Sequence, residues 1–162
     1  MIQANINDLI KKYNNFLLDQ WGVIHDGRNK YEKVDEFIKI LKKNNKKIYL
    51  ISNSSQINKN IINETLKPIG FKLNDFNGII TSGEILLNIK NNKIKNENEI
   101  YDILKEKYCY VISNKNDFYN LNEFNLEKTK ISKAKFILAM SINSNFNENK
   151  INNEIKKLIN YN

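Results

Sequence analysis

Three short apolar segments, each followed by a polar residue and separated by stretches of helix length, restrict the fold of this chain most. Strands that are buried on both faces of a parallel sheet have continuous apolar runs of this kind. The polar residues that end the three runs are Asp19, Ser52 and Thr81. The order of elements along the chain, strand, helix, strand, helix and strand, predicts an α/β fold with a parallel sheet and right-handed crossovers. Because ligands collect at the carboxyl ends of such strands, these three residues mark a candidate site.

The stretches around these runs carry apolar residues at helical spacing. Helices are predicted over residues 6–13, 31–45 and 59–66 and after Ser82. We expect Glu32 in the first turn of the second helix, with Lys42 and Lys43 in its last turn, as the helix dipole prefers. We also expect the hydroxyl of Ser82 to cap the turn that carries Glu84.

The second half of the chain predicts the opening of a second α/β unit. Residues 88–100 are polar and low in complexity, which is typical of a linker. A helix over 100–106, strands over 108–112 and 135–140 and a helix over 151–159 are predicted to follow. The aromatic residues of this part are assigned to its core: Tyr108, Tyr110, Phe118, Tyr119 and Phe124.

The net charge of +8 raises the question of a nucleic-acid partner. The 26 basic residues include one arginine, Arg28, and the lysines are spread along the whole length, so we expect a solvated surface and no nucleic-acid binding. The one cysteine, Cys109, excludes an intramolecular disulfide, and its apolar neighbours predict a buried, inert thiol. No apolar run approaches the ~20 residues that span a bilayer, so we expect no membrane partner and a cytoplasmic protein.

Two motifs resemble those of the haloacid dehalogenase (HAD) superfamily. The run Phe16–Ile24, with Asp19 followed by Gln-Trp-Gly, resembles its motif I, and Tyr49–Ser55 resembles its motif II. The run Trp21–Gly27, together with Ile79–Glu84, is similar to the class IIA branch, within it to an uncharacterised bacterial subfamily with an Asp-x-Trp-Gly-Val motif I.

The resemblance implies a Rossmann-like HAD core over residues 1–88, followed by part of an α/β cap domain over 89–162. It implies a Mg²⁺-dependent phosphatase that acts on a small phosphorylated metabolite through an aspartyl-phosphate at Asp19. The backbone carbonyl of Trp21 would be the second protein ligand of Mg²⁺. Ser52 and the backbone amides of Trp21 and Gly22 would hold the phosphoryl oxygens, with Asn53 beside them.

Three departures from the family pattern bear on activity. Trp21 stands where phosphatases of this kind have the aspartate that protonates the leaving group. The lysine of the third motif and the acidic pair of the fourth are not recognisable, and we expect a truncated chain. A noncatalytic HAD-like binding or interaction module is therefore the alternative function, and a homodimer stays an open expectation.

Less specific interpretations apply to the residues around the motifs. His25 is interpreted as a hydrogen-bonding turn residue rather than a base or metal ligand, and Asp26-Gly27 as a turn dipeptide. Thr81 and Ser82 are helix-capping residues by default. For Trp21 two alternatives stay open, since the indole either fills apolar space beside the strand end or walls the substrate pocket.

Overall fold

The computed structural model describes residues 5–91, 93, 99–112, 121–140, 149, 153 and 156. Two compact units, Met1–Ile85 and Leu86–Asn162, divide the chain. The helices are α1 (Ile6–Lys12), α2 (Val34–Lys43), α3 (Asn58–Asn60), α4 (Ser82–Lys90) and α5 (Glu99–Lys105). The strands are β1 (Asn15–Asp19), β2 (Lys47–Ser52), β3 (Gly78–Thr81), β4 (Tyr108–Ile112), β5 (Glu127–Lys128) and β6 (Phe136–Ala139).

The sheet of the first unit has three parallel strands in the order β1-β2-β3. Asp19 pairs with Ile51, and Ser52 pairs with Thr81, so the three strands end within one residue of each other. The prediction that Asp19, Ser52 and Thr81 share one edge of a parallel sheet is therefore confirmed.

One cluster of buried apolar side chains stabilises this unit. The central strand β2 is paired on both edges and contributes Ile48 and Leu50, both with no exposed surface. Helix α1 contributes Ile10, and α2 contributes Ile38 and Leu41. Burial of one such aliphatic side chain stabilises the fold by about 1.5–3 kcal/mol.

Helix α2 begins later than the sequence predicts. Lys33, directly before it, has a left-handed backbone with φ 67°, and the helix starts at Val34. Glu32 therefore lies outside the helix, and the prediction that it occupies the first turn is wrong. Asp35 and Glu36 take that place at the positive end of the helix dipole.

The helix predicted over 59–66 is present but is not a uniform α-helix. It begins as α3 and continues over Ile61–Leu66 as a π-helix, in which the Lys67 amide donates to the Ile62 carbonyl at 3.0 Å. Gly70, with φ +88°, lies in the turn that follows, as predicted for a helix stop. The apolar spacing of a short helix does not distinguish four-residue from five-residue hydrogen bonding.

Of the two residues predicted to cap α4, Thr81 does so, and the expectation that the Ser82 hydroxyl caps the turn of Glu84 is wrong. The Thr81 hydroxyl oxygen accepts the Glu84 amide at 3.0 Å, so Thr81 rather than Ser82 is the capping residue. Helix α4 continues to Lys90, so residues 88–90 are helical, not linker.

The second unit has its own parallel sheet, in the order β5-β4-β6. Strands β4 and β6 match the predicted strands, and Cys109 has no exposed surface, as predicted. Phe124 is buried as predicted, but Tyr108 is 46% exposed, so its assignment to the core is wrong. Phe118 and Tyr119 lie outside the described residues.

The helix predicted over 151–159 lies outside the described residues except for helical positions 153 and 156. None of the helices within the described ranges is long and apolar enough to cross a membrane.

Candidate active site

Asp19 is an exposed carboxylate at the end of β1. Its Oδ1 atom accepts the backbone N–H of Gln20 at 2.8 Å, which fixes one side of the carboxylate. Among the described residues no lysine or arginine forms an ion pair with it. Within the described part of the chain, the Asp19 carboxylate is thus held by the backbone of the next residue and forms no salt bridge.

The chain turns back directly after Asp19. The Gln20 carbonyl accepts the amides of Val23 and Ile24, at 3.2 and 2.9 Å, and Gly22 adopts a left-handed backbone with φ +82°. The Gly22 amide donates to the His25 carbonyl at 2.9 Å. This bond closes the loop, and the Gly22 amide therefore already has an acceptor. Beyond its two chain neighbours, no heavy atom of the described residues lies within 4 Å of the position that a Cβ at Gly22 would take.

His25 is a buried hydrogen-bonding residue of this loop, with 1% of its surface exposed. Its Nδ1 atom accepts the Gly27 amide at 2.9 Å, which supports its interpretation as a turn residue. Burial lowers the pKa of His25, against the opposing effect of the charges on Asp26 and Asp19. Its Nε2 atom has no hydrogen-bond partner within the described part of the chain.

Asp26 forms the turn that follows. Its Oδ1 atom accepts the amides of Arg28 and Asn29 at 2.8 and 2.7 Å. The hydrogen bond from Asn29, followed by that from Arg28, lowers the pKa of Asp26. Its carboxylate therefore stabilises the turn, in agreement with the prediction that Asp26-Gly27 is a turn dipeptide.

The Trp21 side chain lies at the surface and is 68% exposed. The ring meets His25 edge-on, with centroids 6.0 Å apart and planes at 78°, and it covers Gly27. Of the two alternatives for this residue, filling apolar space is therefore wrong. An exposed indole two residues after Asp19 in the chain is a surface on which a bound molecule can pack.

Ser52 ends β2 beside the end of β1. Its Oγ atom accepts the Ser54 amide at 3.2 Å, and Ser54 Oγ accepts the Gln56 amide at 3.2 Å. A hydroxyl that accepts one hydrogen bond keeps its own proton for donation to another group. Asn53 is exposed beside it.

Two features of the site were not predicted. Gln20 is buried, with 3% of its surface exposed. Its backbone N–H, and not a residue distant in the sequence, holds the Asp19 carboxylate. Thr81 was predicted at this edge of the sheet and as a helix-capping residue, but the sequence did not predict that its hydroxyl donates to the Gln56 carbonyl in the loop that follows Ser52, at 2.7 Å. The sequence signal for the second feature was the polar Thr at a strand end.

The Asp19 carboxylate and the Trp21 carbonyl are oxygen donors, the kind of ligand that Mg²⁺ prefers, but two protein donors are few for this ion. Magnesium takes six oxygen ligands and is commonly bound through one or two carboxylates, water and substrate phosphate. The described residues contain no group of three or more side chains from His, Cys, Asp and Glu that could hold a metal ion. The Asp19 carboxylate and the Trp21 carbonyl therefore fit a partial protein shell, which water and phosphate would have to complete.

A cavity of about 470 Å³ lies elsewhere, beside α2. Lysines and two aspartates, Asp35 and Asp75, contribute to its wall. None of the predicted site residues lines it, so the candidate site is defined by the strand ends and not by this cavity.

Comparisons with known proteins agree with the motifs. The family model described as "Haloacid dehalogenase-like hydrolase" matches residues 16–127. A crystal structure of a hydrolase of the haloacid dehalogenase-like family from Brucella suis 1330 is similar in fold, with a TM-score of 0.74 at 13% sequence identity. The match covers 99% of this chain and 57% of that protein, so this chain spans a little over half the length of its structural relative. No curated protein matches the sequence.

Proposed function

Because the chain belongs to the haloacid dehalogenase-like hydrolase family, we propose that it is a phosphatase for a small phosphorylated metabolite, with Asp19 as the nucleophile. The observation that carries the proposal is the position of the Asp19 carboxylate. It is exposed at the end of an apolar strand, beside the strand that ends in Ser52. A fixed carboxylate next to a hydroxyl donor suits attack on a phosphoryl group that the hydroxyl holds.

The reaction proposed for Asp19 is an in-line displacement at phosphorus. A carboxylate oxygen of Asp19 forms a bond to phosphorus while the bond from phosphorus to the leaving oxygen breaks. The electron pair of that bond stays on the leaving oxygen. Water then attacks the phosphorus of the aspartyl-phosphate, which returns the carboxylate and releases inorganic phosphate. The Gln20 amide holds one carboxylate oxygen at 2.8 Å, and we assign the attack to the other oxygen.

The phosphoryl oxygens are assigned to donors at the same edge of the sheet. The Ser52 hydroxyl accepts from Ser54 and keeps its proton for the phosphoryl group. The Trp21 amide has no hydrogen-bond acceptor among the described residues and is the backbone donor we favour. The Gly22 amide can contribute only by sharing the hydrogen bond that it makes to His25. Asn53, exposed beside Ser52, is assigned to the substrate.

Magnesium is the cofactor proposed from the family. Asp19 and the Trp21 carbonyl would hold it, and bound Mg²⁺ would offset the repulsion between a carboxylate and a phosphate. Two protein donors make a weak site, so we expect binding only when phosphate or an analogue is present.

The leaving group has no evident proton donor in the loop. The indole N–H of Trp21 does not transfer a proton near neutral pH, and His25 is buried with Nδ1 already accepting a hydrogen bond. We therefore propose that the substrate has a leaving group that departs without protonation. Aryl and acyl phosphates belong to this class.

The experiment is hydrolysis of p-nitrophenyl phosphate by the whole chain, with and without Mg²⁺. We expect slow turnover that requires Mg²⁺ and is lost in Asp19→Asn. Asp8→Asn is the matched control, because Asp8 is an exposed aspartate on α1 that is not one of the predicted site residues, and it should keep the activity.

Two results would contradict the proposal. Equal turnover by Asp19→Asn and the wild-type chain would remove Asp19 from the reaction. A wild-type chain that binds inorganic phosphate but turns over no substrate would favour the alternative of a noncatalytic binding module.

A further inference from the structure

We propose that Thr81 is a positioning residue for the phosphate site, because it fixes the loop that carries the Ser52 hydroxyl. This loop comprises residues 52–58, from the last residue of β2 to the first residue of α3, and Thr81 ends the neighbouring strand β3. The inference rests on the proposed function, since it assigns a phosphoryl group to Ser52. It adds a residue that does not itself touch the substrate.

The Thr81 hydroxyl makes two hydrogen bonds from a fully buried position. Its Oγ1 atom donates to the Gln56 carbonyl at 2.7 Å and accepts the Glu84 amide at 3.0 Å. A helix cap needs only the second of these bonds. The first joins the end of β3 to the loop after β2, so the side chain does more than begin α4.

The residues after Thr81 hold the same loop at two more points. The Gly83 amide donates to the Ser54 carbonyl at 3.1 Å. The Glu84 carboxylate accepts the Asn58 amide at 3.1 Å. Together with the bond from Thr81 to Gln56, the junction of β3 and α4 holds residues 54, 56 and 58, every second residue of the segment.

The absence of a side chain at Gly83 allows this contact. A Cβ atom at this position would overlap the backbone carbonyl groups of Ser55 and Gln56. The backbone of α4 therefore lies directly against the backbone of the loop. Such a contact leaves the loop little freedom to move without moving the end of β3.

The anchored residues set the position of the Ser52 hydroxyl. Ser54, held through its carbonyl by Gly83, donates its amide to Ser52 Oγ at 3.2 Å. Gln56, held through its carbonyl by Thr81, donates its amide to Ser54 Oγ at 3.2 Å. A continuous series of hydrogen bonds thus runs from Thr81 through Gln56 and Ser54 to Ser52.

Removal of the Thr81 hydroxyl should therefore weaken phosphate binding at a distance. Thr81→Val keeps the shape of the side chain but leaves the Gln56 carbonyl and the Glu84 amide without this partner. Thr81→Ser keeps the hydroxyl and is the conservative control. A displacement of about 1 Å in a group that holds substrate is enough to cost up to about 100-fold in rate, so we expect a loss of at least about tenfold in phosphate affinity.

The test measures the dissociation constant of inorganic phosphate from amide chemical shifts of Asn53 in the wild-type chain and both variants. Circular dichroism would first establish a temperature at which all three are folded. We expect the wild-type chain and Thr81→Ser to bind alike and Thr81→Val to bind at least about tenfold more weakly. Amide hydrogen exchange at Ser54 and Asn58 should be faster in Thr81→Val, with exchange in β1 unchanged.

A purely structural role predicts a different result, in which Thr81→Val melts at a lower temperature but its folded form binds phosphate with the wild-type constant. That result would overturn the inference and leave the proposed function standing. A wild-type chain that binds no phosphate would overturn both.

If Thr81→Val does not fold, Ser54→Ala replaces it, because Ser54 is only partly buried and its Oγ atom accepts the Gln56 amide in the series that joins Thr81 to Ser52. Phosphate affinity equal to wild type in that variant would also overturn the inference.

Discussion

The indole ring of Trp21 covers Gly27 so closely that any Cβ at position 27 would overlap it. Gly27 also has φ +90°, which favours glycine. The seven residues from Trp21 to Gly27 thus form a loop that is closed where the Trp21 side chain packs on the backbone of Gly27. The bonds from the Gly22 amide to the His25 carbonyl and from the Gly27 amide to His25 Nδ1 hold it from within.

Gly27→Ala is predicted to displace the indole and to destabilise the first unit by about 1–2 kcal/mol through its backbone alone. Trp21 is the one tryptophan of the chain, so intrinsic fluorescence reports on this loop directly. We expect a shift in the emission spectrum. Gly70→Ala is the matched control, since Gly70 has φ +88° but its nearest neighbour is the Lys30 side chain. An unchanged spectrum in Gly27→Ala would contradict the packing.

The stability of the first unit is predicted to depend on the charge of His25, the one histidine of the chain. Burial lowers its pKa in the folded state below the ordinary value of 6.5. As the pH falls through 6.5, the unfolded chain takes up a proton that the folded chain does not, so the free energy of unfolding decreases. Above pH 6.5 this contribution is fully present.

Urea denaturation followed by Trp21 fluorescence, between pH 7.5 and about 5, measures this effect before most carboxylates titrate. His25→Asn is the informative variant, because an Asn side-chain oxygen can still accept the Gly27 amide but does not titrate. We expect its stability to be flat in this range. A wild-type stability that does not fall between pH 7 and about 5 would contradict the burial of His25.

Two leucines on neighbouring strands are predicted to differ strongly in their contribution to stability. Leu50, on the central strand, has no exposed surface, whereas Leu17, on β1, is 61% exposed. Leu50→Ala should destabilise the first unit by about 2–5 kcal/mol, because it removes buried methyl groups and leaves a cavity. Leu17→Ala should change the stability by less than about 0.5 kcal/mol. The midpoints of urea denaturation compare them, and equal losses would contradict the assignment of the core.

Cys109 is predicted to react slowly with thiol reagents. It has no exposed surface, and burial raises the pKa of its thiol, against the opposing effect of the Lys90 charge. Little thiolate is therefore present at neutral pH. Reaction with Ellman's reagent should be at least about tenfold slower in the native chain than in urea, and it should accelerate as the pH rises. Equal rates in buffer and in urea would show that the second unit does not bury this residue.

The strand ends could be predicted from the sequence because each strand is an apolar run that stops at a polar residue. Asp19, Ser52 and Thr81 lie at one edge for that reason. Strand β5 carried no such signal, since Glu127 and Lys128 are both charged and exposed and pair with β4 through their backbone. A two-residue strand of charged residues forms because its backbone pairs with a neighbouring strand, and its composition does not predict it.

The geometry of the site was less predictable than its residues. Nothing in the spacing distinguishes an exposed Trp21 from a buried one, because the direction of the ring depends on the left-handed turn at Gly22 and on contact with Gly27. The bond from Thr81 to Gln56 joins residues 25 positions apart and depends on the packing of α4 against the loop. Side-chain contacts of this range follow from the fold and not from local sequence.

The central claim is that Asp19 takes up a phosphoryl group, and acid-quenched mass spectrometry tests it most directly. The whole chain would be incubated with acetyl phosphate and Mg²⁺, quenched in acid, digested, and fragmented to distinguish Asp19 from Asp26 in the same peptide. We predict a phosphoryl group on Asp19 that is absent from Asp19→Asn. A phosphoryl group on Asp26 instead, or none on the chain while hydrolysis proceeds, would contradict the account.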